Sequence, residues 1–125
     1  MEVSMFTVPI RGMKYRGQFE VDLVKNLNPL EKLLFRDDPE NQADKNAIKV
    51  YAFSEVFGVY MFVGYVGREY TARIHAKKLD YLTMYGRFKG LMRFASVYPE
   101  PAMEVVGVMK DGTSGFNPNM LILDS

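Results

Sequence analysis

At 125 residues and a net charge of +1, the chain has room for one domain with its own core and carries no overall field that would draw it to nucleic acid or membrane. Apolar residues make up 48% and charged residues 25%, an ordinary globular composition, and the absence of cysteine excludes disulfides, thiol nucleophiles and cysteine zinc sites. The N-terminal "MEVSMFTV" lacks the basic start of a signal peptide and the longest uncharged apolar stretch, "VFGVYMFVGYVG", is far short of a membrane span, so a cytoplasmic protein is expected.

No repeat, low-complexity tract or linker interrupts the chain, and residues 1–125 are taken as a single domain. "MFTVPIRGM" (5–13) alternates, with Phe6, Val8 and Ile10 on one face, and predicts a strand. Pro9 cannot donate to a ladder, which predicts an edge or a bulge there. Residues 17–27 fit two patterns: Phe19, Leu23 and Leu27 fall at helical spacing, whereas Phe19, Val21 and Leu23 alternate. The stretch is taken as a short helix, ended by Asn28-Pro29. "EKLLFRD" (31–37) predicts the next strand.

"AIKVYAF" (47–53) is the clearest strand, with Ile48, Val50 and Ala52 on one face and Lys49, Tyr51 and Phe53 on the other. "SEVFGVY" is longer than a tight hairpin turn, and "MFVGYVG" (61–67) predicts a strand in which Gly64 marks a close approach to the backbone. A helix is expected over 68–82, with Glu69 four residues before Arg73, a stripe of Ala72, Ala76 and Leu79, and Tyr70 and Ile74 on another side, so that both flanks are covered. Residues 84–100 predict a long strand or a bent pair with glycines on its core-like face, where a barrel strand coils. "PEPAM" is expected to turn the chain into "MEVVGVM" (103–109). "KDGTSGFNPN" follows as a loop and "MLILD" as an edge strand. Short strands punctuated by glycine, with one good helix mid-chain, suit a small closed or partly open barrel with one or two helices packed outside.

The polar stretch "RDDPENQADKNAIKVYAF" (36–53) invites a metal reading. A calcium loop starting at Asp38 would need glycine at its sixth position and a bidentate acid at its twelfth, where the chain has Ala43 and Lys49. A magnesium nuclease using Asp37, Asp38, Glu40 and Asp44 depends on tertiary geometry. The simpler reading is a turn, because Asp, Asn and Pro are turn formers that bond their own backbone. His75, the only histidine, falls on the predicted helix, where a surface or half-buried role is expected, and no phosphate-binding glycine motif occurs. No catalytic constellation is evident.

Charge is polarised along the chain. From Arg68 to Arg93, seven cations against two acids leave +5, while Glu31–Asp44 and Phe94–Ser125 each carry −3. Basic residues interleaved with tyrosine and phenylalanine suit nucleic acid, the cations meeting phosphate and the rings stacking on bases; the alternative is a solvated charged surface.

"LLFRDDPENQADKNAIKVY" followed by "VGYVGREYTARI", with "IRGMKYR" upstream, resembles the HIRAN domain. The matching residues are Arg36, Asp37, Pro39, Asn41, Asp44, Asn46, Ala47, Ile48 and Val50, then Val63, Gly64, Tyr65, Arg68 and Glu69; the resemblance is strongest over 5–82, with 83–125 expected to supply barrel-completing strands. It implies a mainly β fold, a small OB-like β-barrel with one or two packed α-helices. It also implies a non-catalytic module, without cofactor or metal, that binds single-stranded DNA and captures 3′-hydroxyl ends, with a DNA-repair or replication protein as a further partner. By resemblance, Lys14 and Tyr15 match a basic-aromatic DNA-contacting pair, and Asn41 and Asp44 match polar residues of the DNA pocket, with the aspartate near the terminal hydroxyl. Tyr65 and Arg68 match a later ring and phosphate-binding cation. One departure stands out: helicase-fused members place a base-stacking aromatic just before that aspartate, and this chain has Ala43. The competing expectation is a protein-interaction or dimerisation domain, motivated by the acidic segments and by Val56, Phe57, Tyr60 and Phe62 of "VFGVYMF".

Overall fold

The structure is a computed structural model that describes residues 1–109. The expected loop at 110–119 and strand at 120–124 lie outside the described residues. Among the described residues six strands form a mainly β fold: β1 (Glu2–Arg11), β2 (Lys32–Asp37), β3 (Ile48–Ser54), β4 (Val59–Val66), β5 (Tyr81–Met92) and β6 (Glu100–Met109). They close into an antiparallel barrel in the order β1-β4-β3-β2-β5-β6, accompanied by helices α1 (Gln18–Lys25) and α2 (Thr71–Lys77). This is the OB-like class that the sequence implies. Among the described residues no helix is long and apolar enough to cross a membrane.

The alternation in β3 is realised as expected. Ile48, Val50 and Ala52 are buried, and the interior continues through Val8, Ile10, Leu33, Val63, Phe88, Met103 and Val105. α1 starts after Gly17 and stops at Asn26, whose side chain donates to the Asp22 carbonyl at 2.8 Å. It delivers Val24, and the turn after it Leu27, to the core, while Phe19 stays half-exposed against the Phe57 ring.

Three expectations need correction. The stretch 68–82 is not one helix: α2 is flanked by 3-10 turns at Arg68–Tyr70 and Lys78–Asp80, and Tyr81 and Leu82 already belong to β5. Only one flank is covered, by Thr71 and Ile74, whereas Ala72 and Ala76 are exposed and Leu79 is 84% exposed. Second, the connection lies at 93–99 and not at "PEPAM": the strand expected over 84–100 ends at Met92, and Glu100, Pro101 and Ala102 already pair with β5. Third, Pro9 lies neither on an open edge, since the barrel is closed, nor at a bulge, since the irregularity in β1 falls between Ser4 and Thr7. Its carbonyl accepts from Gly67 N–H at 3.0 Å, so its nitrogen faces β4, just beyond the end of the β1–β4 ladder. The missing donor is tolerated there because that ladder has only two paired positions, Ile10 with Val66 and Arg11 with Tyr65.

This short seam is tightly built. A Cβ on Gly64 would lie 2.6 Å from the Arg11 carbonyl oxygen, and one on Gly67 would lie 2.7 Å from the Pro9 ring, so both positions need glycine for close approach. The Arg11 guanidinium donates to Glu100 at 2.8 Å and also meets Glu69, tying the start of β6 and the 68–70 turn to the end of β1. These two carboxylates, Glu100 first, raise the Arg11 guanidinium above its ordinary value, and Arg11 in turn lowers the Glu69 carboxyl. Gly64→Ala is expected to destabilise the fold by about 1–3 kcal/mol, since the backbone it would strike cannot yield as a side chain can. A lowered midpoint of denaturant unfolding, with an unchanged slope, checks this.

Candidate functional site

The loop between β2 and β3 is built by its own polar side chains. Asp38 N–H donates to the Ala47 carbonyl at 2.9 Å and closes the loop, with turns at Asp38–Asn41 and Asp44–Ala47 inside it. The Asn41 side-chain oxygen accepts from the amides of Ala43 at 2.9 Å and Asp44 at 3.0 Å. One Asp44 carboxylate oxygen accepts from Asn46 N–H at 2.9 Å. These are local Asx bonds of the kind that make Asn and Asp turn formers.

Three elements brace this loop from outside. From β4, the Tyr65 hydroxyl donates to Asp38 at 3.1 Å, and the Asn41 amide reaches the same Asp38 oxygen at 3.3 Å and the Tyr65 oxygen at 3.4 Å. Burial first, then the bond to Asp38, raises the Tyr65 phenol above its ordinary value, so it remains a donor at neutral pH. From the turn before α2, Arg68 donates to the Ala43 carbonyl at 3.3 Å, and its guanidinium lies 3.9 Å from the second Asp44 oxygen. From α2 itself, His75 Nε2 lies 2.9 Å from the Asn46 carbonyl, a contact that requires the proton on that nitrogen.

Asn41, Asp44, Tyr65 and Arg68 are therefore one contiguous set. Lys14 and Tyr15 stand on the adjoining 3-10 turn, Met13–Tyr15, which β1 leads into. That turn sits on β4: a Cβ on Gly12 would meet the Tyr65 ring at 3.9 Å, and one on Gly64 would meet the Met13 side chain at 3.4 Å. Tyr15 is 82% exposed, with the Lys14 ammonium 5.2 Å from its ring centre. Together with Leu91 and Pro101, these two residues also line a groove between the turn, α1 and the β5–β6 end of the barrel.

The two polar side chains differ in what they have left to offer. The Asn41 amide nitrogen is engaged with Asp38 and with Tyr65 of β4, and its oxygen with the Ala43 and Asp44 amides of the loop. Asp44 keeps one oxygen that the loop does not use, partly exposed beside an Arg68 side chain that is 77% exposed. The arrangement presents an acceptor for a hydroxyl next to a cation for a phosphate. The acids of the nuclease reading diverge: Asp37 pairs with Lys78, Asp38 with Tyr65, and Asp44 turns to Asn46. Among the described residues no three acids or histidines lie close enough to hold a metal ion.

Two braces were not legible in the sequence as such. Asp38 is read from the sequence as a turn former or a metal ligand, and His75 as a surface or half-buried helix residue. No spacing rule connects a loop aspartate with a tyrosine 27 residues later, or an asparagine carbonyl with a histidine 29 residues later. The basic run from Arg68 to Arg93 does not form one cationic face either. Arg87 is held by Glu2 at 3.2 Å and Glu104 at 3.3 Å, and Arg73 lies over the Phe6 ring at 4.4 Å.

The model of the HIRAN domain family matches residues 3–81. Among solved structures, a crystal structure of a protein from Lactobacillus plantarum is similar with a TM-score of 0.58 and 19% identity, covering 86% of this chain and 95% of that one, a likeness of fold. The crystal structure of the HIRAN domain of human HLTF gives a TM-score of 0.48 and 25% identity, covering 86% of this chain and 80% of that one. No curated protein matches the sequence significantly.

Tyr65→Phe keeps the ring and removes the hydroxyl that links β4 to Asp38 and Asn41. It is expected to cost about 1 kcal/mol of stability and to speed amide exchange at Ala43, Asp44 and Asn46. Hydrogen exchange by NMR reads both the global and the local effect.

Proposed function

The chain belongs to the HIRAN domain family, a family of DNA-binding modules, and from that premise we propose that it is a non-catalytic cytoplasmic module that binds single-stranded DNA and takes a free 3′-hydroxyl end at the Asp44 loop. The supporting observation is the Asp44 oxygen left unused by the loop, flanked by the exposed Arg68 guanidinium. A terminal hydroxyl can donate to that oxygen, while the preceding phosphate meets Arg68 as a charge-assisted contact. A 3′-phosphate in the same place would set like charges against each other. Tyr15, exposed on its turn, offers a ring to a base, and Lys14 beside it a charge to the backbone. Tyr65 and Asn41 hold the loop in shape and act on DNA through Asp44. A DNA-repair or replication protein is the partner that such end recognition would serve.

Ala43 sets the strength of the complex. It is exposed on the loop with its carbonyl tied to Arg68, and it brings no ring where helicase-fused relatives stack one. Fluorescence anisotropy with short oligonucleotides tests the reading. A 3′-hydroxyl strand should bind more tightly than the same strand ending in 3′-phosphate, and Asp44→Ala should abolish that preference. Ala43→Tyr should tighten the hydroxyl complex by about 1–3 kcal/mol. Absence of binding at low salt would sink the proposal, and binding indifferent to the 3′ end would remove the end-capture part.

A second reading rests on the β3–β4 hairpin tip, where Val56 is 79%, Phe57 61% and Val59 52% exposed. Such an apolar tip suits self-association or a protein partner. Light scattering over a concentration series decides it: a mass that rises with concentration and falls back in Phe57→Ser supports it, and a strict monomer excludes a dimer.

A further inference from the structure

The outer face of β2, β3 and β4 carries a second feature. Arg36 on β2 pairs across the ladder with Lys49 on β3, and Lys49 in turn with Tyr65 on β4. Two pairs further on, after Val50 with Gly64, Tyr51 lies opposite Phe62, because the register shifts between Val50 and Tyr51 and leaves Val63 without a partner of its own. In an unbroken strand Phe62 and Tyr65 would point to opposite faces. The bulge brings them to the same one, edge to face at 5.2 Å, with Tyr51 5.8 Å from Phe62 on the other side. A continuous row of three rings thus leads away from the Asp44 loop.

Cations are mounted on this row. The Arg16 guanidinium, arriving from the turn after β1, lies 4.0 Å from the Phe62 ring centre; the Lys49 ammonium lies 4.9 Å from the same ring, and Arg36 lies 5.7 Å from Tyr51. The ion pairs of the neighbouring cations run elsewhere, Lys78 to Asp37, Arg87 to Glu2 and Glu104, and Arg11 to Glu69 and Glu100. Arg16 and Lys49 face rings instead. A cation over a ring is held in place without losing its charge, so its polar edge stays available to an anion. Since Arg16 and Lys49 both lie over Phe62, that ring serves here as a support for charge and not as a stacking platform for a base.

We propose that a single strand whose 3′ end enters the Asp44 loop continues across this face, with Arg16 and Lys49 on its phosphates. The inference rests on the end-binding reading for the direction of the strand, but the two can fail separately. The occupant is argued from charge complementarity: two cations, Arg16 and Lys49, held over Phe62, whose ring adjoins Tyr65 beside the end pocket, fit a polyanion that extends from that pocket.

Oligothymidylates of two and eight nucleotides, both with 3′-hydroxyl ends, test it by anisotropy over a salt series with the wild type and the Arg16→Ala/Lys49→Ala double variant. Arg16 is exposed and Lys49 half-exposed, and circular dichroism verifies that the variant is folded. The octamer should bind the wild type about tenfold or more tightly than the dinucleotide. The double variant should lose most of that advantage, keep its dinucleotide affinity, and show an octamer salt slope shallower by about 1.4, corresponding to two phosphate contacts on a single strand. Equal affinity for the two lengths, or a double variant that binds the octamer as the wild type does, overturns the inference while end discrimination stands. Length-dependent binding that tracks Arg16 and Lys49 but ignores the 3′ end supports the face and overturns the end pocket.

Discussion

The organisation of this molecule depends on the closure of its barrel between β1 and β4. Only two pairs of residues join those strands, and the contact is close enough that Gly64 must lie beneath the Arg11 carbonyl and Gly67 beneath the Pro9 ring. Closure places the turn after β1 against Tyr65 and sends Arg16 onto Phe62. It also draws Arg11 to Glu69 and Glu100, which anchors the 68–70 turn from which Arg68 reaches the β2–β3 loop. Without this seam, the residues grouped around Tyr65 would belong to separate parts of the surface.

A second constraint is that a polar loop must satisfy its own backbone. Asp38, Asn41 and Asp44 first serve as turn formers, and each is also placed by what remains after that duty. Asn41 has nothing left, whereas Asp44 retains one oxygen beside a cation. The same turn-forming duty thus leaves these residues with different spare capacity, and a pattern of polar letters does not show which of them keeps any. The same holds for the cations. A run of basic residues along the chain is divided by folding among separate faces and carboxylate partners, while Arg16, Arg36 and Lys49, none of them in that run, are gathered around the rings of β3 and β4.

Much of the fold was legible because period-two alternation is a local property. β3 shows it plainly in Ile48, Val50 and Ala52, and Gly64 correctly signalled close backbone approach. The short helix at 18–25 follows its apolar spacing and its ending before Asn28-Pro29. Legibility failed where local preference was overridden. The helical pattern of 68–82 is cut short because the chain must turn into β5 at Tyr81, and the Ala72, Ala76 and Leu79 stripe has no surface to cover. Pro9 sits in a closed barrel because one ladder is short, a fact about pairing and not about proline.

The sequence by itself determined the strand alternation, the loop-forming chemistry of 36–47, the glycines of close approach and the family signature, since all of these are set by residue type and short spacing. Only the tertiary structure decided that Asp38 and Asn41 would meet Tyr65, that His75 would hold the Asn46 carbonyl, and that a bulge at Val63 would turn Phe62 and Tyr65 to the same face. The reason is physical: these arrangements depend on ladder register and barrel closure, which arise from contacts between strands far apart in the chain and leave no periodic trace along it.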